Sequence, residues 1–448
     1  MLKVYHPDYA RYAALQTTCR DLSEGQDYIK SKGELYLPAT SGMNLDGMST
    51  SDLGYKNYQA YLKRAILPGY FIDGINTRMG LLYSKPPVIE LPAGLEYLRN
   101  DCDGNGTKLE TFMRYISYEQ IIVGRLGIAA DVVNERIALK MYWGERIINW
   151  GENFVILDES SEVVDSNFQW KLSEKFHLLT LAAEGGMYGT RTEKDGVLTE
   201  LVFPSLKGKM LPKIPFIFIN STDSSQIPDK PPLVNLADMV LSIYRSEADY
   251  RNNLHMQGQD TLVIKGPIMG NTKLPQGMGE DVVRTGAGSR ITVSPEGDAK
   301  YIGVNSSGLA EQRLALESDK QRAEGKAGEL ANVSVKGVES NDTLLTRISS
   351  RTVTLNEIAL TGSESLSNLL KIVAEWSMFD PSAVSVTPNL DFTKSLVTGA
   401  DANQIMDAKL KGAPLSNATI HQYFARGGVT NMEFQAEMEL IAQEKANG

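Results

Sequence analysis

Only two of the 448 residues are cysteine, Cys19 and Cys102. Two thiols are too few for a disulfide framework, so a reducing compartment is expected. Long apolar runs are also missing, because the most apolar stretch, residues 121–133, is interrupted by Arg125 and Asp131. No membrane-spanning helix is therefore expected. The first residues lack a charged segment followed by an apolar core, and no secretory signal is expected either.

Motifs that carry catalysis are absent from the sequence. The chain has four histidines, His6, His177, His255 and His421. None of them has metal-ligand spacing with Cys, Asp or Glu. There is no G-x-S-x-G, H-E-x-x-H, paired-cysteine or G-x-x-x-x-G-K-[ST] motif. Gly286 and Gly288 form a G-x-G, but Ile291 stands where the dinucleotide motif needs glycine. We therefore expect no enzymatic activity, no catalytic residue and no cofactor.

Basic residues are outnumbered, and the net charge is −10. This balance argues against a protein that grips nucleic acid by neutralising phosphates. It is compatible with a protein past which DNA slides without sticking. With 42% apolar and 22% charged residues, the chain has the composition of a folded protein, and its length predicts two or three domains.

Residues 101–112, DCDGNGTKLETF, have a spacing that invites a calcium interpretation. The matching positions of a calcium loop are 1, 3, 5 and 6, which fall on Asp101, Asp103, Asn105 and Gly106. The closing glutamate is missing, because Phe112 occupies its position. The favoured interpretation is a polar turn in which Thr107 or Asp103 caps a helix over 107–123; Asp101, Asp103 and Asn105 are only weak metal candidates.

The first half of the chain predicts helices followed by short strands, in an α+β fold. A helical pattern over 55–83 is interrupted at Pro68-Gly69, which predicts two helices or a kink. From 127 onward the pattern changes to short strands separated by turns. The predicted strands cover 128–133, 137–143, 154–158, 168–172, 177–183 and 198–203. The phrase WGERIINW, residues 143–150, predicts buried isoleucines at 147 and 148.

A helix is predicted over 231–258, and a strand over 261–265. Leu233, Leu236, Val240 and Ile243 mark one apolar face of this helix. Glu247 lies four residues before Arg251, which predicts a supportive ion pair on an exposed face.

Beyond the glycine-rich tract 266–303, the sequence predicts a polar helix, a break and a long apolar-seamed helix. The polar helix, 308–330, carries small residues that could pack between subunits, namely Ala310, Ala323, Ala327 and Gly328. The long helix, 342–378, could bend at Gly362-Ser363. A helical tail follows it.

Four phrases in this order give the chain a resemblance to the portal proteins of tailed bacteriophages. They are residues 58–92 (YQAYLKRAILPGYFIDGINTRMGLLYSKPPVIELP), residues 101–112, residues 145–150 (ERIINW) and residues 231–266. The similarity covers about residues 20–395 and points to the branch formerly catalogued as a phage protein of unknown function.

The resemblance implies a portal-type α+β fold with a mixed wing, helical stem, small β clip and helical C-terminal crown. The wing would cover 1–230, with helices over 1–125 and a β-rich lobe over 127–220. The first stem helix would cover 231–257, the clip 258–305 and the second stem helix 306–330. A tunnel loop would cover 331–341, the long helix 342–378 and the crown 379–448.

The resemblance also implies site residues. The tunnel loop facing the DNA channel would contain Asn332, Ser334, Lys336, Glu339 and Asn341. The stem would contribute Arg245, Glu247, Arg251, Lys320 and Arg322. The clip would dock the packaging motor and the tail adaptor through Lys273, Arg284 and Arg290.

The implied function is a ring, usually of twelve subunits, at one capsid vertex. Double-stranded DNA would pass through it, without sequence specificity, during packaging and ejection. Expected partners are other copies of the chain, the terminase large subunit, a head–tail adaptor, and the major capsid and scaffolding proteins. The protein would be made in the host bacterial cytoplasm and reside in the virion, with no membrane partner.

The sequence is also compatible with two other functions. One is a nucleotide-binding α/β enzyme that uses the β-rich lobe and the glycine-rich tract as its nucleotide site. The other is a different phage connector or scaffold component. The absence of a complete nucleotide-binding motif from the sequence counts against the first. The combination of a β-rich lobe with a midchain β module counts against the second.

Within the portal hypothesis, Lys336→Glu should impair packaging or retention of DNA and leave ring assembly intact. The reason is the position of Lys336 between two helices, on a loop expected to face the channel. DNA packaging efficiency in a particle assembly assay measures this effect. Unchanged efficiency would count against placing Lys336 at the channel.

Overall fold

A computed structural model describes residues 2–182, 185–257, 261–265, 298–302, 307–328, 341–390, 392, 399–426, 430 and 432–447. The helices are α1 (Pro7–Ser23), α2 (Gln26–Ser31), α3 (Ser41–Leu45), α4 (Leu53–Arg64), α5 (Tyr70–Leu82), α6 (Leu109–Ile122), α7 (Val234–Gln257), α8 (Ser307–Ala327), α9 (Asn341–Trp376), α10 (Gly399–Leu410), α11 (Asn417–Arg426) and α12 (Phe434–Asn447). Short 3-10 turns cover Gly33–Leu35, Ala93–Arg99, Gly144–Arg146 and Pro381–Ala383.

The strands are β1 (Val88–Glu90), β2 (Arg125–Val133), β3 (Arg136–Trp143), β4 (Ile147–Gly151), β5 (Phe154–Asp158), β6 (Ser161–Val164), β7 (Trp170–Ser173), β8 (Lys175–Leu181), β9 (Tyr188–Lys194), β10 (Val197–Leu198), β11 (Ser205–Leu206), β12 (Lys209–Met210), β13 (Phe216–Asn220), β14 (Thr261–Lys265), β15 (Asp298–Ile302) and β16 (Ser385–Thr387). The helices and strands together make an α+β fold, which confirms the predicted class.

Two larger antiparallel sheets form most of the β-rich lobe, and the pairs β6-β7 and β11-β12 add two small ones. One has the order β10-β9-β8-β5-β4 and the other the order β13-β2-β3. Helices α6 and α9 pack on the second sheet. Side chains from both sheets and both helices share one core, in which Ile116, Leu157, Leu369 and Trp376 are fully or almost fully buried.

A second core lies among the helices. It contains Leu22 of α1, Tyr61 of α4, Ile75 of α5, Val240 of α7 and Leu355 of α9. Both cores involve α9, which has 36 residues and is about 54 Å long at 1.5 Å per residue. The first half of the chain and the residues after α9 are also joined by a strand pair, because β1 pairs with β16.

Most of the predicted helix and strand positions are confirmed. The break at Pro68-Gly69 separates α4 from α5, and the predicted strand at 154–158 is β5. Eight strands were not predicted, namely β1, β4, β6, β9, β11, β12, β13 and β16. The strand predicted over 198–203 is wrong beyond Leu198. The division into wing, stem, clip, tunnel loop and crown stays a prediction.

Gly362 lies inside α9, at the position where a bend was predicted. A Cβ atom on Gly362 would lie 2.6 Å from Gln120 Oε1 of α6. Gln120 is itself buried and donates from Nε2 to the Asn220 carbonyl at 2.8 Å. The glycine therefore permits close approach of two helices.

Gly127→Ala should lower the free energy of unfolding by about 2–3 kcal/mol, because it overpacks the core between the two sheets. A Cβ atom there would lie 2.2 Å from Cζ of the buried Phe216 ring. Denaturant titration measures the change. Gly80→Ala in α5 is the matched control, because no atom lies within 4 Å of its Cβ position, and it should be neutral or stabilising by up to about 1 kcal/mol. Equal values for the two variants would contradict this account of Gly127.

Candidate functional site: the α7–α8 helix pair

The N-terminal half of α7 is anchored in the helical core. The predicted apolar face is confirmed, because Leu233, Leu236, Val240 and Ile243 are all 3% exposed or less. Gly74 of α5 lets this helix approach closely, since a Cβ atom there would lie 2.9 Å from Leu236 Cδ2. The double proline before the helix fits its start, because first-turn amides need no intrahelical acceptor.

Polar contacts hold the middle of α7 to the first helices of the chain. Arg245 Nε donates to the Tyr36 carbonyl at 3.0 Å. Tyr61 Oη donates to Asp249 Oδ1 at 2.6 Å. Burial and the Asp249 carboxylate raise the pKa of Tyr61, so its hydroxyl stays protonated and able to donate. Arg245, a predicted stem residue, is therefore tied to the helical core.

Glu247 is the centre of the contact between α7 and α8. Its side chain is 4% exposed and lies 2.6 Å from Arg251 Nε and 2.7 Å from Lys320 Nζ. Burial alone would raise the pKa of Glu247, but hydrogen bonds from Lys320 and Arg251 outweigh it and hold the pKa below its usual value. A buried carboxylate paired with one cation on its own helix and one on α8 joins the two helices.

The predicted exposed pair of Glu247 and Arg251 is half right. The two residues do form an i,i+4 ion pair, but the pair does not lie on an exposed face, because α8 covers Glu247. Three of the predicted stem residues, Glu247, Arg251 and Lys320, therefore meet at one point. Arg322 does not join them: its side chain is 71% exposed and lies 3.6 Å from Asp319 on its own helix.

The small residues of α8 pack inside the subunit. Ala323 and Ala327 are buried, and the Ala327 Cα lies 3.7 Å from the position of a Cβ on Gly74. The predicted role of these alanines between subunits is therefore wrong, since α5 and α7 of the same chain occupy their face. Ala310, at the other end of α8, is exposed.

The distal half of the pair exposes apolar side chains. Asn253 of α7 donates to Gln312 of α8 at 3.3 Å, so the C-terminal end of α7 meets the N-terminal end of α8 and the helices are antiparallel. Around this contact Leu254, Met256 and Leu314 are 43%, 52% and 60% exposed. Between the helices, β14 and β15 pair antiparallel, with Thr261 opposite Ile302; β14 has the predicted bounds.

The remaining predicted channel and docking residues lie mostly outside the described residues. This applies to the clip residues Lys273, Arg284 and Arg290 and to the loop residues Asn332, Ser334, Lys336 and Glu339. Asn341 is the first residue of α9. Their roles stay predictions.

The 101–107 segment is a turn held by its own carboxylates. Asp101 Oδ1 accepts from the amides of Gly104 and Gly106, at 2.8 and 2.9 Å. Asp103 Oδ1 accepts from the amides of Asn105 and Thr107, at 2.9 and 3.2 Å. The predicted capping of the helix by Thr107 or Asp103 is wrong: α6 starts at Leu109 after Lys108, and no side chain caps it.

Neither a metal centre nor a membrane span emerges from the part of the chain that the structure describes. No group of three or more His, Cys, Asp or Glu residues converges there as metal ligands would. The weak metal candidates Asp101, Asp103 and Asn105 stay a prediction. No described helix is both long and apolar enough to cross a membrane.

A buried ion-pair network between α1, α6 and the turn at Glu145 was not predicted from the sequence. Arg20 contacts Glu119 of α6 at 2.5 Å and Glu145 at 2.6 Å, and its guanidinium lies 4.8 Å from the centre of the Trp143 ring. The three charged residues are far apart in the sequence and share no motif, so no local pattern marks them.

Comparison with known proteins assigns no activity. A family model described as a domain of unknown function (DUF4055) matches residues 232–377, the stretch from α7 to α9. No curated protein matches the chain.

Two solved structures match the chain, both at low sequence identity and with TM-scores of 0.40 or less. One is a chain from the neck of an empty GTA particle computed with C6 symmetry, with 12% identity, a TM-score of 0.39, and coverage of 81% of this chain and 90% of that chain. The other is from the neck of a native GTA particle computed with C12 symmetry, with 13% identity, a TM-score of 0.40, and coverage of 80% and 90%.

Proposed function

We propose that the chain is a portal subunit: a non-enzymatic component of a closed ring at one vertex of a phage-type capsid. Double-stranded DNA would pass through the ring during packaging and ejection. The proposal includes a ring of twelve copies that docks the terminase large subunit and a head–tail adaptor. It also includes contacts with the capsid and scaffolding proteins, and residence in the virion.

The observation that carries the proposal is the α7–α8 pair. One end of the pair is fixed in the helical core, the other end exposes leucine and methionine side chains, and a small β-pair lies between the helices in the sequence. A helix pair with this division fits the stem of a ring, in which neighbouring copies cover the distal apolar side chains. The order of the sequence phrases that resemble portal proteins gives independent support.

The charge distribution of the pair fits passive passage of DNA. Of its five predicted stem residues, Arg251 and Lys320 are neutralised in part by Glu247, and Arg322 lies beside Asp319. Cations that are paired with carboxylates attract phosphates less than free ones. A channel wall built from such pairs would retain DNA weakly.

Native mass spectrometry of the full chain, at several salt concentrations, tests assembly. The proposal expects one closed oligomer as the dominant species, because heterologous contacts close into a ring. A monodisperse monomer at micromolar concentration in every salt would contradict it. Thermal unfolding measured with added nucleotides and divalent ions tests the alternative. A large, nucleotide-specific rise in the unfolding temperature would favour the nucleotide-binding enzyme.

Leu314→Lys should prevent ring formation and leave the fold of the subunit intact. Leu314 is 60% exposed in the subunit, so a lysine there should change subunit stability by no more than about 0.5 kcal/mol. Between copies the same lysine would have to be desolvated. Mass photometry measures the loss of the oligomer. Leu45→Lys is the control, because Leu45 is 88% exposed on α3, away from the pair, and it should assemble normally. Normal assembly of Leu314→Lys would contradict this placement of the subunit contact.

A further inference from the structure

A groove of about 560 Å³ lies between strand β3 and helix α6, away from the α7–α8 pair. Tyr115 and Tyr118 line it from α6, and Met141 and Trp143 line it from β3. Tyr115 is 53% exposed and Trp143 46% exposed. Two large aromatic side chains thus face solvent across a concave surface, which is the composition of a site that binds apolar side chains.

The wall formed by β3 is an open sheet edge. In the order β13-β2-β3, strand β3 has a neighbour on one side only. Ala130 of β2 donates its amide to Pro215, towards β13, and its partner Leu139 donates its amide to Cys102 at 2.6 Å. The Leu139 amide therefore points away from β2.

Met141 continues this pattern without a partner. Residues two apart in a strand point their amides to the same side, so the Met141 amide also points away from β2, into the groove. Among the described residues no turn, loop or side-chain acceptor bonds to it. The segment around Cys102 covers the edge at Leu139 and leaves it open at Met141.

The end of the groove carries carboxylate charge, because Lys140, which also lines the groove, is paired with Asp131 at 2.7 Å. Asp103 lines it, and Asp101 belongs to the same turn. Both carboxylates accept hydrogen bonds from backbone amides, and Asp103 also accepts from the Thr107 hydroxyl. No lysine, arginine or histidine of the described ranges lies within ion-pair distance of either carboxylate. Hydrogen bonds from Asn105 and Thr107 outweigh the effect of burial and lower the pKa of Asp103, so it stays ionised.

We propose that this groove binds an extended segment of a different protein, which adds as a strand to the free edge of β3. Main-chain hydrogen bonds to Met141 would supply affinity, as in other cases of strand addition. An apolar side chain would lie between Tyr115 and Trp143, and a basic side chain would reach Asp103. The charge of the turn argues for a basic partner segment, and the chain itself has a net charge of −10.

Two labelled peptides test the proposal by fluorescence anisotropy with the full chain. One alternates lysine with valine, and the other alternates glutamate with valine. We expect the lysine peptide to bind at least about tenfold more tightly, because its basic side chain can pair with Asp103. A tenfold ratio corresponds to about 1.4 kcal/mol. Equal affinity for the two peptides, or no binding of the lysine peptide, would overturn the proposal.

Met141→Pro separates edge pairing from simple contact. Proline removes the amide that points into the groove and does not remove a bond to β2, so an edge strand can accept it. Peptide affinity should fall by about tenfold or more, whereas Met141→Ala keeps the amide and should stay within about threefold of the wild type. Wild-type affinity of a folded Met141→Pro would overturn the strand addition.

Two further variants keep the proposal falsifiable if the proline disturbs the fold. Tyr115→Arg changes an exposed side chain of the helical wall, and it should repel the lysine peptide and weaken its binding. Asp103→Asn should weaken binding of the lysine peptide and reduce its salt dependence. Unchanged binding in both variants would overturn the assignment of this groove.

Native mass spectrometry without peptide identifies the source of the segment. We expect Met141→Pro to form the same oligomer as Met141→Ala, because the partner is a different protein. A change of oligomeric state in the proline variant alone would show that a second copy occupies the groove, which would overturn the proposed partner. The peptide-binding assay does not depend on the portal assignment, because it measures peptide affinity whatever the oligomeric state of the protein.

Discussion

Arg20→Ala should lower the free energy of unfolding by about 3–5 kcal/mol, the cost of removing one partner from a buried ion pair. The Glu119 and Glu145 side chains are only 6% and 18% exposed, and both rely on the same guanidinium. Burial already raises the pKa of Glu119. Without Arg20, two carboxylates would face each other with little water between them.

Denaturant titration measures the change, with Lys213→Ala as the control. Lys213 pairs with Glu375 at 2.5 Å, but this pair lies on the surface, because the two side chains are 44% and 37% exposed. Exposed pairs contribute little, so this variant should lose less than about 1 kcal/mol. A loss for Arg20→Ala no larger than the loss for Lys213→Ala would contradict the structural role of the network.

Glu247→Gln should lower the free energy of unfolding by about 2–3 kcal/mol at neutral pH. The substitution keeps the shape and removes the charge that holds Lys320 of α8 against α7. The estimate is below that for Arg20 because Lys320 and Arg251 are 35% and 43% exposed, so both cations can regain water. We expect α8 to loosen and ring assembly to weaken as well.

The effect of Glu247→Gln should depend on pH in a defined direction. Because the folded pKa of Glu247 lies below its usual value, the wild-type advantage is complete above the unfolded pKa of about 4.3. It is lost as the pH falls through the folded pKa. Denaturant titrations from about pH 7 to about pH 3 measure it. The exposed Glu317→Gln on α8 is the control and should show no measurable change. An advantage that stays constant over this pH range would argue against an ionised, paired Glu247.

Local sequence patterns predicted those helices and strands whose boundaries and apolar faces are set by residues within the element itself. Helix α7 follows a double proline and repeats apolar residues at helical spacing, and β14 is a short β-branched run after it. The break between α4 and α5 comes from proline and glycine. In each case the determining residues lie within one element, so the sequence is sufficient.

Contacts between distant residues could not be predicted in this way. The spacing of Glu247 and Arg251 is visible in the sequence, but the burial of Glu247 depends on Lys320 in another helix. The Ala323–Ala327 face was assigned to a subunit contact because nothing local shows that α5 covers it. Strand β13 has few residues and pairs with β2, and the free amide of Met141 exists only because β3 ends the sheet. Sheet order is a tertiary property.

Electron microscopy of the purified full chain, with end-on class averages and no imposed symmetry, tests the central proposal most directly. The portal assignment predicts closed rings of countable symmetry, with twelve subunits, in which α7 and α8 surround an open axial channel. Class averages that show only single subunits or open filaments, or rings in which α7 and α8 lie at the outer rim, would contradict it.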